Sequence, residues 1–286
     1  MFKKRFMAVL VAAFALVGVL ALAGCGSSAS TTSGSADTGS AETTEDTSAD
    51  ITTLTVGFDQ SYPPYGFVGD DGEYTGFDIE LAQEVAARNG WDLELEPIDW
   101  DAKDSLLNSG AITCIWNGFT LEGRENDYTF SDAYMLNGQV IVVKSDSGIS
   151  SLSDLAGKTV ITQVDSAAEE VLEGDQADLT ATFASLETIS DYNTAFMQLE
   201  SGAVDAVACD LSIAQYQLAA KPDVYTQLDE SLSEEHYAVG FKKGDKALAE
   251  KVTETLKEMD EDGFVKELCE KYADYGISYD NWVLGK

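Results

Sequence analysis

From Leu54 onward the chain alternates strand-like runs with segments of helical period, and few folds accept that alternation. Leu54-Thr-Val-Gly-Phe58 is strand-like. Residues 78–89 place Ile79, Ala82, Val85 and Ala86 on one helical face and stop at Gly90. A strand at 91–95, a helix near 102–109 and a strand at 111–116 follow. Further on, 139–143, 158–163 and 203–209 read as strands, and 166–173, 191–201 and 246–260 as helices. The pattern predicts an α/β fold with largely parallel strands. One internal echo sharpens it: Leu107-Asn-Ser-Gly-Ala-Ile-Thr-Cys-Ile-Trp116 lines up with Leu199-Glu-Ser-Gly-Ala-Val-Asp-Ala-Val-Ala208. Helix end, glycine, apolar strand is a common local solution, so coincidence stays open. Read as a repeat, it divides 51–286 into two α/β lobes.

Charge removes whole classes of partner. The 286 residues carry 17 Lys and Arg against 51 Asp and Glu, a net charge of −34. No basic surface for nucleic acid can be assembled from that. An anionic membrane would repel the folded body, so any attachment must be covalent or inserted. With 44% hydrophobic and 10% aromatic residues, the chain can still build real cores. His236 is the single histidine, and it has no evident partner or role. Cys25, Cys114, Cys209 and Cys269 show no CxxC spacing, which indicates neither a zinc site nor a disulfide framework, and no cofactor is implied. Cys114 and Cys209 sit in apolar strands and read as inert core residues.

The first 24 residues read as an address. Lys3, Lys4 and Arg5 precede an apolar run from Phe6 to Leu22, which suits a secretory signal peptide; a membrane anchor is the alternative for a run of this length. Leu22-Ala-Gly-Cys25 resembles a bacterial lipobox, which implies a lipid on Cys25. Residues 26–50 contain only Gly, Ser, Ala, Thr, Asp and Glu. Such a stretch cannot bury enough to offset its ordering entropy and reads as a tether reaching roughly 25–30 Å.

In open α/β sheets ligands bind beyond the carboxyl ends of strands, so the residues there are site candidates. Asp59 and Tyr62 follow the first strand; Asn117, Gly118, Thr120 and Arg124 follow 111–116; Ser166 follows 158–163; Asp210 follows 203–209. Arg88 trails Glu84 by four helical residues and is explained as a surface pair. Arg124 has no helical partner, and its planar fork suits a carboxylate; a surface pair with Glu122 or Glu125 is the alternative. Asp210 could instead cap a helix starting near Leu211. Ser166, with Glu169 at capping-box spacing, reads as a helix cap whose free backbone N–H groups would attract an anion. Tyr62 and Trp100 are either core aromatics or cleft walls.

Six segments in order carry a resemblance across nearly the whole body. They are Tyr62-Pro-Pro-Tyr65, Gly76-Phe-Asp-Ile-Glu-Leu-Ala82, Trp100-Asp101, Trp116-Asn-Gly-Phe-Thr120 with Arg124, Phe130-Ser-Asp-Ala-Tyr134 and Asp205-Ala-Val-Ala-Cys-Asp210. Together they are similar to family 3 extracellular solute-binding proteins, the polar-amino-acid receptors of bacterial ABC importers. The resemblance implies a periplasmic-binding-protein-like type II fold, with lobe 1 at 51–142 plus 237–286 and lobe 2 inserted at 143–236. It implies a monomeric, non-enzymatic receptor, lipid-anchored outside the membrane, that passes an amino acid to a permease. Arg124 with the amides of Ser166 and Ala167 would hold the α-carboxylate. Asp210, the Gly118 carbonyl and the Thr120 hydroxyl would hold the α-ammonium. Tyr62 and Trp100 would sandwich the side chain, and Asp59 and Asn117 would reach its end. The chain departs from the pattern in a shorter turn from Thr120 to Arg124 with Gly123 in it, and in Asp165 and Ala167, where Gly and Ser or Thr are frequent. A dehydratase-like enzyme on the same fold and an extracytoplasmic sensor subunit are the rival readings.

Overall fold

The computed structural model describes residues 51–286; the leader at 1–24, Cys25 and the tether at 26–50 lie outside the described residues. β1 (Thr53–Phe58) buries Leu54, Val56 and Phe58 completely, the period of two expected of a strand. Its end leads into a small antiparallel sheet of β2 (Ser61–Tyr62), β3 (Gly66–Val68) and β4 (Tyr74–Thr75). α1 (Phe77–Asn89) then crosses over to β5 (Asp92–Pro97), which pairs with β1 in parallel. A left-handed Gly90 ends α1, as the sequence predicts. α2 (Lys103–Ser109) leads to β6 (Cys114–Ile115) on the other side of β1, and β7 (Tyr128–Phe130) lies at the edge of the same sheet.

β8 (Met135–Lys144) opens the second sheet. β9 (Thr159–Gln163), α3 (Ala167–Glu173), the short α4 (Ala177–Thr180), β10 (Ser185–Ile189), α5 (Tyr192–Ser201) and β11 (Ala206–Asp210) follow. α6 (Leu211–Ala220) then leads to the long β12 (Tyr225–Tyr237). The strand order is β10-β9-β11-β8-β12, with β9, β10 and β11 parallel and β8 antiparallel to both β11 and β12. The chain then returns to the first sheet as β13 (Gly240–Lys242), giving β5-β1-β6-β13-β7. α7 (Lys246–Glu261) and α8 (Phe264–Lys271) close the first lobe, burying Leu248, Val252, Leu256, Val265 and Leu268, and α7 packs on α1.

The molecule is therefore two α/β lobes, each with a mixed sheet and flanking helices, as expected of the type II fold. The internal echo is structural. Gly110 and Gly202 end α2 and α5 at φ 78 in both cases, each returning its N–H to the last turn, and each precedes an interior strand of its sheet. The same caps correct the strand bounds. After Gly110, the Ala111 N–H still bonds to the Leu106 carbonyl (3.0 Å), so the strand expected from 111 begins only at Cys114. After Gly202, the Ala203 N–H bonds to the Gln198 carbonyl (3.0 Å), and the strand expected from 203 begins at Ala206.

Two short segments join the sheets, Ser131–Tyr134 outward and Ala238–Val239 back. They are bonded to each other: the Ser131 N–H donates to the Val239 carbonyl (3.0 Å), the Val239 N–H to the Ser131 hydroxyl (2.9 Å) and the Tyr134 N–H to the Tyr237 carbonyl (2.9 Å). Among the described residues no helix is long and apolar enough to cross a membrane.

Candidate ligand-binding cleft

The carboxyl ends of the two sheets face one cavity of about 270 Å³. Tyr62, Trp100, Asn117, Gly118, Thr120 and Arg124 line it from the first lobe; Gln163, Ser166, Ala167 and Asp210 line it from the second. Nine of the ten residues expected from the sequence are thus brought together. Asp59 is not among them. It stands behind the wall, accepting a bond from Gln163 Nε2 at 2.7 Å, and burial raises its carboxyl above the usual range. Gln163, which the sequence reading passed over, takes its place.

Arg124 is 5% exposed and sits over the Phe119 ring, 4.9 Å from its centroid. Neither Glu122 nor Glu125 pairs with it. Its partner is Glu170 of α3, across the cleft: Nη2 and Nε both point at Oε1, at 2.8 and 3.2 Å. Glu122 instead bonds to His236, through Nδ1 at 2.7 Å and the backbone N–H at 2.8 Å. Beside Arg124, Trp100 Nε1 and Lys103 Nζ both donate to the Asp165 carbonyl, at 3.1 and 3.2 Å. Burial, and then the nearby Arg124 charge, lower the Lys103 pKa. Asp165 holds φ 53, the one non-glycine positive φ among the described residues, at the position where the resemblance has glycine. Asp is one of the few residues that tolerate this region.

Ser166 caps α3 as expected, its hydroxyl accepting from the Glu169 N–H at 3.2 Å. The reciprocal half of the box has slipped by one residue: the Glu169 side chain accepts from the Asp165 N–H at 2.6 Å. Asp210 does not cap α6 through its side chain. Its Oδ1 instead accepts from Asn137 Nδ2 (2.9 Å), Gln139 Nε2 (2.8 Å) and the Tyr237 hydroxyl (2.9 Å). Tyr62 is tied to this group through its hydroxyl, 3.3 Å from that of Tyr237. Asn117 carries both side-chain polar atoms buried and without a protein partner, on the wall of the cavity. A buried amide in that state is suited to meet a polar ligand. Gly118 is fixed from behind by Asp78, whose Oδ2 accepts its N–H at 2.6 Å.

One residue at this site had no sequence signal. Glu235 on β12 is 3% exposed and accepts from the Thr120 hydroxyl at 2.8 Å. Cys114 and Cys209 are buried free thiols whose pKa burial raises, in keeping with inert core positions.

A guanidinium on one lobe and a carboxylate on the other, facing one cavity between them, define a two-lobed solute-binding protein. The chain belongs to the bacterial extracellular solute-binding proteins, family 3, whose profile matches residues 54–275. It is 32% identical over 223 residues to the L-cystine-binding protein TcyJ of Escherichia coli K12, covering 77% of this chain and 82% of that protein. It is 30% identical over 280 residues to the ABC transporter glutamine-binding protein GlnH of Bacillus subtilis, covering 94% and 97%. Among solved structures, an ABC uptake transporter substrate-binding protein from Streptococcus pneumoniae with bound histidine superposes at a TM-score of 0.76 and 33% identity. It covers 80% of this chain and 95% of that one.

Proposed function

We propose that this chain is the extracytoplasmic substrate-binding component of an amino-acid ABC importer, which captures a polar amino acid and delivers it to a membrane permease. Its role is binding, not catalysis. The observation that carries the reading is the placement of two buried charged residues, Arg124 and Asp210, from opposite lobes on one cavity. A zwitterion satisfies both charges only when the lobes are shut over it. Relatives named for cystine and glutamine, and a similar structure holding histidine, support a polar amino acid as ligand.

In this reading Arg124 takes the α-carboxylate, assisted by the amides of Ser166 and Ala167. Asp210 takes the α-ammonium with the Gly118 carbonyl and the Thr120 oxygen. Tyr62 and Trp100 flank the side chain. Asn117 and Gln163 meet its end, and Asp59 acts through Gln163. The interlobe boundary lies at the two crossing segments, 131–134 and 238–239, because the whole of β8 pairs within the second sheet; the inserted lobe therefore runs over 135–237, and not over the 143–236 expected from the sequence. Cys25 carries the lipid anchor, residues 26–50 form the leash, and the receptor works as a monomer.

Calorimetry with L-cystine, L-glutamine, L-histidine and L-arginine tests the site. Removing one partner of a buried charge pair costs roughly 3–5 kcal/mol, so Arg124→Ala and Asp210→Asn should each lose about two to three and a half decades of affinity. Arg124→Lys should recover little, because a point charge does not reproduce the planar fork. Binding by Arg124→Ala within about threefold of wild type would place the carboxylate elsewhere. Cys25→Ser should abolish lipid labelling and leave affinity unchanged.

A further inference from the structure

Glu235 and Asp210 draw on the same two amide groups. Asn137 Nδ2 lies 2.9 Å from Asp210 Oδ1 and 2.7 Å from Glu235 Oε1; Gln139 Nε2 lies 2.8 Å from the first and 2.7 Å from the second. Each NH₂ has two hydrogens, so each amide gives one to either carboxylate, and two parallel bridges join the acids. Counting the Tyr237 hydroxyl on one side and the Thr120 hydroxyl on the other, Oδ1 and Oε1 each accept three bonds. Asp210 Oδ1 is thereby saturated, and Oδ2 is the oxygen left for a ligand. Because Thr120 donates its hydroxyl hydrogen to Glu235, its oxygen lone pairs are left to accept. Glu235 thus sets both partners assigned to the ammonium, one directly and one through the bridges. Both bridging amides lie on β8 and Glu235 on β12, the two strands that continue into the interlobe crossings.

We infer that Glu235 is the second carboxylate of the ammonium anchor, a positioning residue that orients Asp210 and Thr120 and releases a proton to solvent as the ligand's ammonium docks. This rests on the amino-acid reading above. Two carboxylates bridged at such short range resist carrying two charges while no cation is present. Burial, and then the Asp210 charge, push the Glu235 carboxyl up to about 7. Its other oxygen, Oε2, accepts only a long bond from the Ser233 hydroxyl, at 3.5 Å, so it is the oxygen free to carry a proton. An ammonium on Asp210 Oδ2 supplies the missing positive charge, lowers the Glu235 pKa and expels that proton. The remaining groups around the pair do not replace it. The Tyr62 and Tyr237 hydroxyls are held neutral by burial, which raises both well above their ordinary value. Arg124 bonds to Glu170 and, on the side of this pair, to the Thr120 carbonyl at 3.5 Å, and to neither carboxylate of the pair. The pair of His236 and Glu122 belongs to the neighbouring residue and is more than a third exposed at both ends.

The sign follows from linkage. A proton released on binding makes affinity rise with pH until the free carboxyl is fully ionised, with a slope of at most about tenfold per pH unit. The test is calorimetry between pH 6 and 7.5 with whichever of L-cystine, L-glutamine, L-histidine and L-arginine binds tightest, in two buffers of different ionisation enthalpy. Wild type should bind about fivefold to tenfold more tightly at pH 7.5 and transfer a fraction of a proton to buffer at pH 6. Glu235→Gln should bind at least tenfold more weakly at pH 7.5 and lose both the slope and the proton transfer; His236→Gln should keep them. Wild-type affinity that is flat in pH, with no proton released, overturns the role of Glu235 while leaving the amino-acid site intact, and does so without any variant having to fold. Failure of all four amino acids to bind overturns the amino-acid reading and this inference with it.

Discussion

At Gly118 the backbone turns with φ +57, and a Cβ added there would lie 3.0 Å from Cε2 of Tyr237 and 3.2 Å from Cε1 of Tyr62. Tyr62 lines the cavity and Tyr237 is tied to it through their hydroxyls, so a side chain at 118 would press on the cavity wall. Gly90, at φ +70, would meet nothing within 4 Å. The two glycines separate strain from shape. Gly118→Ala and Gly90→Ala should each lose about 1–2 kcal/mol of stability from the left-handed backbone. Only Gly118→Ala should also bind the amino acid more weakly, by about tenfold or more, the equivalent of roughly 1.4 kcal/mol. Denaturant titration and calorimetry on the pair check this; equal affinities would mean that Tyr62 and Tyr237 yield. At this scale, legibility in the sequence tracked distance along the chain. Gly118, Thr120 and Arg124 could be placed because they follow a strand end, where topology alone predicts a ligand. Glu170 could not, because its partner Arg124 is 46 residues away. Glu235 could not either: its bridges to Asn137 and Gln139 span 98 and 96 residues, and only the folded β8 and β12 bring them together. The Asp210 cap failed as an expectation for the same reason, since long-range donors outcompete the local N–H groups.

The elements that the sequence disclosed best are those with a clear period or a clear stop, α1, α5 and α7 among them. β12 escaped because Tyr225 to Tyr237 reads as a polar, acidic run, in which the buried Tyr225 and Leu228, and again Leu232 and Glu235, are three apart rather than an even number. Register shifts near Ser231 explain the broken period, since a bulge moves a side chain to the other face of the strand. Between lobes, the loop that ends β9 and the start of α3 carry a clasp: Lys103 lies 3.8 Å from the Asp165 carboxylate and Arg124 lies 2.8 Å from Glu170. Glu170 uses one oxygen on the Nε and Nη2 edge of Arg124, so it holds the lobes together without filling the whole fork. Its side chain is about half exposed, which keeps the pair weak, at roughly 0.2–1 kcal/mol. Lys103→Met combined with Glu170→Gln should therefore cost about threefold to tenfold in affinity. With no amino acid added, the double variant should also show a larger radius of gyration than wild type, and saturating ligand should bring the two together. Superimposable scattering curves without ligand would remove the clasp from the account of closure.

Across the whole molecule, a net charge of −34 meets several carboxyl groups folded out of water. Asp78 is fully buried, and burial raises its carboxyl to about 7 against the opposing bonds from the Gly118 N–H and the Tyr134 hydroxyl. Glu235 is raised to about 7 as well, and Asp59 is raised by burial. Each of these groups holds a proton in the folded state over a range of pH where the unfolded chain has already lost it. Stability then falls as pH rises from the ordinary carboxylate value of about 4 towards about 7, and levels off above that. Self-repulsion among the surface acids pushes in the same direction as they ionise. The body should therefore be more stable at pH 5 than at pH 8. A combined loss of roughly 2–4 kcal/mol would lower Tm by about 5–10 °C in a domain of this size. Salt separates the two causes. Half-molar sodium chloride screens surface repulsion beyond about 4–5 Å and should recover part of the loss, whereas the buried carboxyls are shielded from it. Asp78→Asn removes one of those carboxyls while keeping an acceptor for the Gly118 N–H, so its Tm should depend less steeply on pH than that of wild type at high salt. A wild-type Tm that rises from pH 5 to pH 7.5 in high salt would mean that Asp78 and Glu235 are already ionised in the folded protein, paired with donors that outweigh their burial.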